Sequence, residues 1–489
     1  MKRAVWLLAV GGYGLGLSAC SPDPSNGDGV SGGPPLAGSP NAGSSGAPSA
    51  GGSAGGTGGG AGLAGSASAG FAGAAGSTAA GLGGQAGASG FGGAAGVGGA
   101  AGGDAGGGSG GAAPGPHWVG TWSASPYYDA DNQPVASLSK AVLRQVTHVS
   151  LGGSQLRVQL SNLFGDESVV IDAVHVALCK AKPAVDSSID TTTDRALTFA
   201  GQASVTIPAG QELWSDPLDF SLAPLSNVTI TTAFGNVPSK VVGHSGSRTT
   251  SYLQSASGDV SAASLPNAKT VDHWYYISGI DVMAPAAARA VVAIGDSITD
   301  GRGTDTNKNN RWTDVLAARL LANPATADVA VLNQGIGATN LVGTSGTAAQ
   351  ARFERDVLGQ SGVAYALVYD GVNDIGTDVS FDAMQAAYAD LIARAHAKGL
   401  PIYAATIMPF SGNTYYTAAR ESVRQQVNAY LKSGVFDAYI DFDAALSAGG
   451  NPPKLQSAYA TWAQTDWLHP GPTGYQKMGE TVKLELFQP

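Results

Sequence analysis

Ser297 stands in the run Gly295-Asp296-Ser297-Ile298-Thr299, directly after an apolar, β-branched stretch at 290–294. A strand that turns into a helix at this point leaves the hydroxyl at the carboxyl edge of a sheet. A serine there can be a nucleophile, or it can be the N-cap of the helix. Far along the chain, Asp466-Trp467-Leu468-His469-Pro470 precedes a Gly-Pro turn and a helix-like run. A carboxylate and an imidazole three residues apart on one loop can fold so that the acid holds one ring nitrogen. The other nitrogen is then left to take a proton from a hydroxyl. The same Asp-x-x-His spacing occurs at Asp172 and His175, but within a strand-like run, where an odd offset sends the two side chains to opposite faces. His175 therefore reads as structural. Between the serine and the distal histidine lie Asn333-Gln334-Gly335-Ile336-Gly337-Ala338 and Gly371-Val372-Asn373-Asp374. Such strand ends expose backbone N–H groups, and Asn373 adds an amide donor; together they suit a developing oxyanion, although each alone is also an ordinary turn.

These residues need a frame. Strand-like runs at 290–294, 329–332, 366–369, 402–407 and 438–442 alternate with helix-like runs at 312–322, 381–398, 418–433 and 473–487. That alternation predicts a parallel sheet covered on both faces, with its ligand site beyond the carboxyl ends of the strands. Upstream, short β-branched runs at 156–160, 169–178, 203–207 and 227–233 are separated by turn clusters, which predicts an all-β sandwich or jelly-roll. The resulting division is 1–20 leader, 21–116 linker, 117–285 β-rich domain and 286–489 α/β domain.

Composition supports that division. Of the 71 glycines, 37 fall between residues 21 and 116, a stretch whose only charges are Asp23, Asp28 and Asp104. It has too few large apolar side chains to offset the ordering of so much glycine, and as a flexible tether it would reach roughly 50–60 Å. Two matches to G-x-S-x-G, at 51–55 and 107–111, lie in this stretch and are accidents of composition. Lys2 and Arg3 precede an apolar run at 4–19, too short for a bilayer of about 30 Å but the size of a signal-peptide core. Leu17-Ser18-Ala19-Cys20 resembles the bacterial lipobox, which would make Cys20 the acylated mature N-terminus; simple cleavage near Ala19 is the alternative. Cys179 sits in an apolar run and reads as a small buried side chain. Residues 117–489 carry 24 Lys and Arg against 33 Asp and Glu, a net of about −9, which argues against a nucleic-acid partner. Asp305-x-Asn307-x-Asn309 starts like a calcium loop but has Asn310 at the sixth place and Leu316 at the twelfth, so it reads as a polar loop and no metal is called for. Aromatics at Tyr127, Tyr128, Trp214 and Trp274-Tyr275-Tyr276 could stack on sugar rings or simply fill a β core.

The blocks Gly-Asp-Ser, Asn-x-Gly-Ile, Gly-x-Asn-Asp and Asp-x-x-His-Pro occur here in the order of the SGNH (GDSL-type) hydrolases, and residues 289–489 resemble that family. The runs Asn310-Arg311-Trp312, 424–428 and 118–126 resemble a bacterial subgroup with xylan-esterase-like members, in which a β-rich domain precedes the hydrolase. The resemblance implies a three-layer α/β/α, flavodoxin-like domain that works without a cofactor. It makes Ser297 the nucleophile, His469 the general base and then acid, and Asp466 the residue that orients the imidazole. The oxyanion hole would use Ser297, Gly337 or Ala338, and Asn373. The family's usual oxyanion glycine falls on Ala338, a residue disfavoured there if the backbone needs φ > 0. The implied activity is that of an exported serine esterase, lipid-anchored to the cell envelope or secreted, that takes acetyl or other short acyl groups from carbohydrate esters. A lipase acting on lipid esters, or a binding lipoprotein whose hydrolase part is inactive, stays open. As base, His469 should lose activity as pH drops through its pKa, about 6.5 when unperturbed and higher beside Asp466.

Overall fold

In the β-rich part the period-two pattern is visible residue by residue. In the strand Gly153–Ser161, Leu156, Val158 and Leu160 are buried between partly exposed neighbours. One antiparallel sheet joins His117–Ser123, Ile277–Ala284, Gly153–Ser161, Glu212–Trp214 and Leu218–Leu222. A second runs Lys269–Val271, Ser251–Gln254, Val142–His148, Asn227–Phe234, Val169–Leu178, with Arg195–Ala196 and Val205–Ile207 along its edge. The inward residues of both sheets feed one apolar cluster. This computed structural model describes residues 115–181, 186–256, 258–462 and 465–488; the leader at 1–20 with Cys20, and the linker as far as residue 114, lie outside the described residues.

The α/β part begins after the turn at Pro285, whose carbonyl accepts from Ala288 N. Its strands are β1 (Arg289–Gly295), β2 (Val329–Gly335), β3 (Val363–Tyr369), β4 (Ile402–Ala405) and β5 (Ala438–Ile440), all parallel in the order β2-β1-β3-β4-β5. The order reverses at β1, so right-handed crossovers put the helices on opposite faces. Helices α2 (Trp312–Ala322) and α8 (Pro472–Thr481) pack together, as do α3 (Ala349–Phe353) with α5 (Phe381–Ala397) and α5 with α6 (Ala418–Leu431). Gly295 is in register with Gly335 on one side and Tyr369 on the other, so the three strands end level. Both glycines are needed for close approach. A Cβ at Gly295 would sit 2.2 Å from the Tyr369 carbonyl, and one at Gly335 would sit 2.2 Å from Asp300 N. The turn that follows β1 therefore lies directly on its neighbours.

Two expectations need correction. The C-terminal helix does not run to residue 487: α8 stops at Thr481, and a 3-10 turn follows at Leu484–Phe487. Arg319 donates to the carbonyls of Gly479 and Val482, and the break lets Phe487 bury edge-on against Tyr365 and Tyr403. Likewise Phe442 leaves the strand pattern and opens the short helix α7 (Phe442–Leu446), because Asp441 accepts from Ala444 N and starts a helix there.

The two parts share a core rather than a linker. Val119 and Ile280 of the β-rich sheet join Val292 and Leu332 of the parallel sheet in one apolar cluster. Gly120 N donates to Ser361 O at 2.9 Å, Val331 N to Ser150 Oγ at 3.0 Å, and Ser125 Oγ to Asp356 Oδ2 at 2.5 Å.

Candidate active site

The turn after β1 is the one-turn helix α1 (Ser297–Asp300). It is capped by Asp296, whose Oδ1 accepts from Ile298 N at 2.9 Å, and closed by Gly301 at φ 100. The capping role open to Ser297 is thus taken by Asp296, and the serine hydroxyl is free for other work. Ser297 Oγ lies 2.8 Å from His469 Nε2, and His469 Nδ1 lies 2.6 Å from Asp466 Oδ2. The second carboxylate oxygen accepts from Leu468 N and His469 N at 3.0 and 2.9 Å, while the Asp466 carbonyl accepts from Asn413 Nδ2 at 2.7 Å. Trp467, at φ 59, supplies the left-handed residue that folds the loop back on itself. Burial works against the charge of Asp466, but the hydrogen bonds from His469 outweigh it and hold the carboxyl at about 2. With the ring proton on Nδ1 facing that carboxylate, Nε2 is an acceptor aimed at the serine.

The pKa of His469 moves opposite to expectation. Burial of the imidazole lowers it, and the nearby Arg302 and Arg248 guanidiniums add to that, against the upward pull of Asp466. A carboxylate neighbour raises a histidine only where it outweighs desolvation, and here it does not.

The oxyanion candidates gather on the level strand ends. Ser297 N, Gly337 N and Ala338 N donate to no protein group among the described residues. Ala338 has φ 60, the conformation in which glycine is favoured, and its methyl group is exposed, so the strain is local and the N–H is retained. Asn373, on the short helix α4 (Val372–Gly376), is held at both ends. Its Nδ2 donates to Thr339 O at 2.8 Å, and its Oδ1 accepts from Tyr415 Oη at 3.1 Å, which leaves one amide hydrogen uncommitted. Asn333 ties the second block to α1, donating to Thr299 O at 2.7 Å and accepting from Gly335 N at 2.9 Å. Above Ser297 there is room: a Cβ on Gly337 would be 4.0 Å from Ser297 Cβ and 3.7 Å from Asp300 Oδ2.

Several neighbours carry no signal of their own in the sequence. Asp300, three residues after the serine, accepts from His244 Nε2 at 3.0 Å and Arg248 Nη2 at 3.3 Å, both from the β-rich part. Arg311 braces the same turn by donating to Asp300 O at 2.7 Å and Ser247 O at 2.6 Å. Trp462 sets its ring edge-on to His469, with centroids 5.8 Å apart. Beneath the strand ends, Arg352 donates to Gly295 O and Gln334 O at 2.9 and 2.5 Å. Near it are the buried carboxyls of Asp296 and Asp370, which burial pushes up, Asp296 to about 7. Elsewhere, Asp172 and His175 have separate partners, Lys140 and Asp194, and do not meet. Asn307 and Asn309 bond to Thr250 and Asn227 across the interface. Trp274, Tyr275 and Tyr276 are buried core, as is Cys179.

A serine hydroxyl on an imidazole that is itself held by a carboxylate, with spare donors on the adjoining strand ends, is equipped for acyl transfer. Residues 293–477 match the GDSL-like lipase/acylhydrolase family. The GDSL-like segment takes in Ser297, Asn373, Asp466 and His469. Solved structures similar to this chain include a GDSL-like lipase from Bacteroides thetaiotaomicron, at 19% identity over 40% of this chain and 88% of that one, with a TM-score of 0.31. Another is a catalytic variant of an acetylxylan esterase from Geobacillus stearothermophilus, at 19% identity over 40% of this chain and 91% of that one, with a TM-score of 0.32. A third, a member of the lipolytic G-D-S-L family from Veillonella parvula, is 19% identical over 41% of this chain and 98% of that one, with a TM-score of 0.29. No curated protein matches the chain.

Proposed function

We propose that this protein is an exported serine esterase that removes short acyl groups, acetyl first among them, from a polysaccharide or other carbohydrate ester. The observation that carries the reading is the unbroken line Ser297 Oγ, His469 Nε2, His469 Nδ1, Asp466 Oδ2, with contacts of 2.8 and 2.6 Å. Ser297 attacks the ester carbonyl while its proton passes to His469, and Asp466 stabilises the imidazolium. The oxyanion accepts from the N–H of Ser297, from the N–H of Gly337 or Ala338, and from the uncommitted amide hydrogen of Asn373. His469 then returns the proton to the leaving alcohol. Water, deprotonated by the same imidazole, releases the acid from the acyl-enzyme.

The surroundings of the serine favour a hydroxylated substrate over a fatty chain. Trp462, Tyr415, Arg302 and Arg248 supply aromatic faces and hydrogen-bond donors. The xylan-esterase-like runs at 118–126, 310–312 and 424–428 support an acetylated plant-type glycan. The basic, apolar leader ending at Cys20 supports export with a lipid anchor, and the stretch 21–116 would serve as tether. The test is acetate release from acetylated xylan, beside p-nitrophenyl acetate, octanoate and palmitate, by the wild-type and Ser297→Ala proteins. Serine-dependent release from xylan supports the reading. Serine-dependent turnover of palmitate alone would replace it with a lipase, and no serine-dependent turnover at all would replace it with a binding protein.

A further inference from the structure

Two guanidiniums stand at the nucleophile with most of their hydrogen bonds unspent. Arg302, on the loop leaving α1, is exposed, and among the described residues its side chain makes no hydrogen bond or ion pair. It is nevertheless held in place: its guanidinium sits 5.4 Å from the centroid of the Trp462 ring, and Trp462 in turn meets His469 edge-on. Arg248 reaches in from the β-rich part at φ 50, an uncommon backbone for a residue with a side chain, and spends one donor on Asp300 Oδ2 at 3.3 Å. Its side chain remains 28% exposed. The other oxygen of Asp300 is already taken by His244. Asp466 is committed to His469 and two backbone N–H groups. Among the described residues, neither Asp300 nor Asp466 is therefore left over for Arg302.

The position of Arg302 says which half of the substrate it faces. On the esterase reading, on which this inference rests, His469 hands its proton to the departing alcohol oxygen, so the leaving group lies beside the imidazole. The wall next to the imidazole is Trp462 with Arg302 on its face. We propose that the natural ester carries a carboxylate on its leaving-alcohol portion, as an acylated uronic-acid-type sugar does, and that Arg302 binds it, with Arg248 as a second donor. A planar guanidinium matches a carboxylate two bonds at a time, and the Trp462 face limits the freedom lost on binding. Both guanidiniums also press the His469 imidazole toward its neutral, proton-accepting form.

The test uses matched esters that differ in charge. Binding of 4-acetoxybenzoate and its methyl ester to the Ser297→Ala protein is measured by calorimetry, so that no turnover is needed. The anion should bind about tenfold tighter, the effect expected of one charge-assisted bond. Adding Arg302→Gln should remove that preference, and Arg302→Lys should keep part of it. Equal binding of the two esters, or a preference that survives Arg302→Gln, overturns the proposal. Phenyl hemisuccinate against its methyl ester places the charge on the acyl side; an Arg302-dependent preference confined to that pair overturns the leaving-group assignment. Turnover of 4-acetoxybenzoate by the wild-type protein, absent in Ser297→Ala, checks the esterase reading separately. An Arg302-dependent preference without any turnover would reject the esterase while leaving the carboxylate site in place.

Discussion

Replacing Asp466 by asparagine should leave the loop folded and disable the base. One carboxylate oxygen accepts from two backbone N–H groups, Leu468 and His469, at 3.0 and 2.9 Å. A carboxamide placed with its NH2 toward both of them would lose both bonds, so the asparagine oxygen stays there. The NH2 is then turned toward His469 Nδ1, across the contact that measures 2.6 Å. A donor at that point forces the ring proton onto Nε2, which can then donate to Ser297 but cannot take its proton. The expected loss is about 10^4 in kcat, the scale of this tautomer error in Ser-His-Asp enzymes, or about 5 kcal/mol of transition-state stabilisation. KM should change little, because both oxygens of Asp466 are committed to His469 and the loop backbone. Asp466→Ala should lose comparable activity and, by orphaning the two backbone donors, about 1–3 kcal/mol of stability as well. The assay is hydrolysis of p-nitrophenyl acetate with thermal unfolding of the same samples. An asparagine variant within tenfold of wild type, or one that unfolds as early as the alanine variant, would show that Asp466 does not act by setting the His469 tautomer.

Burial and two nearby arginines lower the His469 pKa, so kcat/KM should hold until pH falls below about 6.5 and decline only under it; an acid-limb midpoint above that value would contradict the geometry. Ala338→Gly should be close to neutral, since relief of about 1 kcal/mol of left-handed strain is set against about 0.4–1 kcal/mol of extra freedom in the unfolded chain. Ala338→Val, stiffer still at φ 60, should approach the roughly 10²–10³-fold loss of a missing oxyanion donor, and full activity in that variant would show the N–H at 338 to be unused. Asp296 has its pKa raised to about 7 by burial, so its favourable contribution is complete below the ordinary carboxylate value and is lost as pH rises through neutrality. Asp296→Asn, which can still cap Ile298, should therefore gain stability over wild type as pH rises from the ordinary carboxylate range to neutrality. A difference in melting temperature that stays flat from pH 5 to 8 would rule this out.

What could be read from the sequence was whatever depends on short stretches at strand ends. Gly295, Gly335 and Tyr369 close three adjacent parallel strands level with one another, so blocks that look independent in the chain arrive on one edge. The contacts made by His244 and Arg248 could not be read that way. They lie about fifty residues before Asp300 in an all-β region, and only the packing of one part on the other brings them to it. The direction of the His469 shift was hidden for a related reason: the carboxylate beside it is visible in the sequence, whereas its burial and the approach of Arg248 from the β-rich part arise only on folding. The end of α8 likewise turned on the buried destination of Phe487, not on any local breaker.

The strand His117–Ser123 pairs with Ile277–Ala284, and Gly120 bonds onward to Ser361. Evolution therefore cannot treat the α/β part as an interchangeable cassette. A gene fusion that kept only residues 286–489 would bare the apolar flank around Leu332 and strip Asp300 of His244 and Arg248. It would also remove the carbonyls of Gly246 and Ser247 that Arg311 uses to brace the nucleophile turn. Recombination breakpoints in relatives of this chain should accordingly fall before the first β strand rather than between the two parts, so that the β-rich and α/β parts are inherited together.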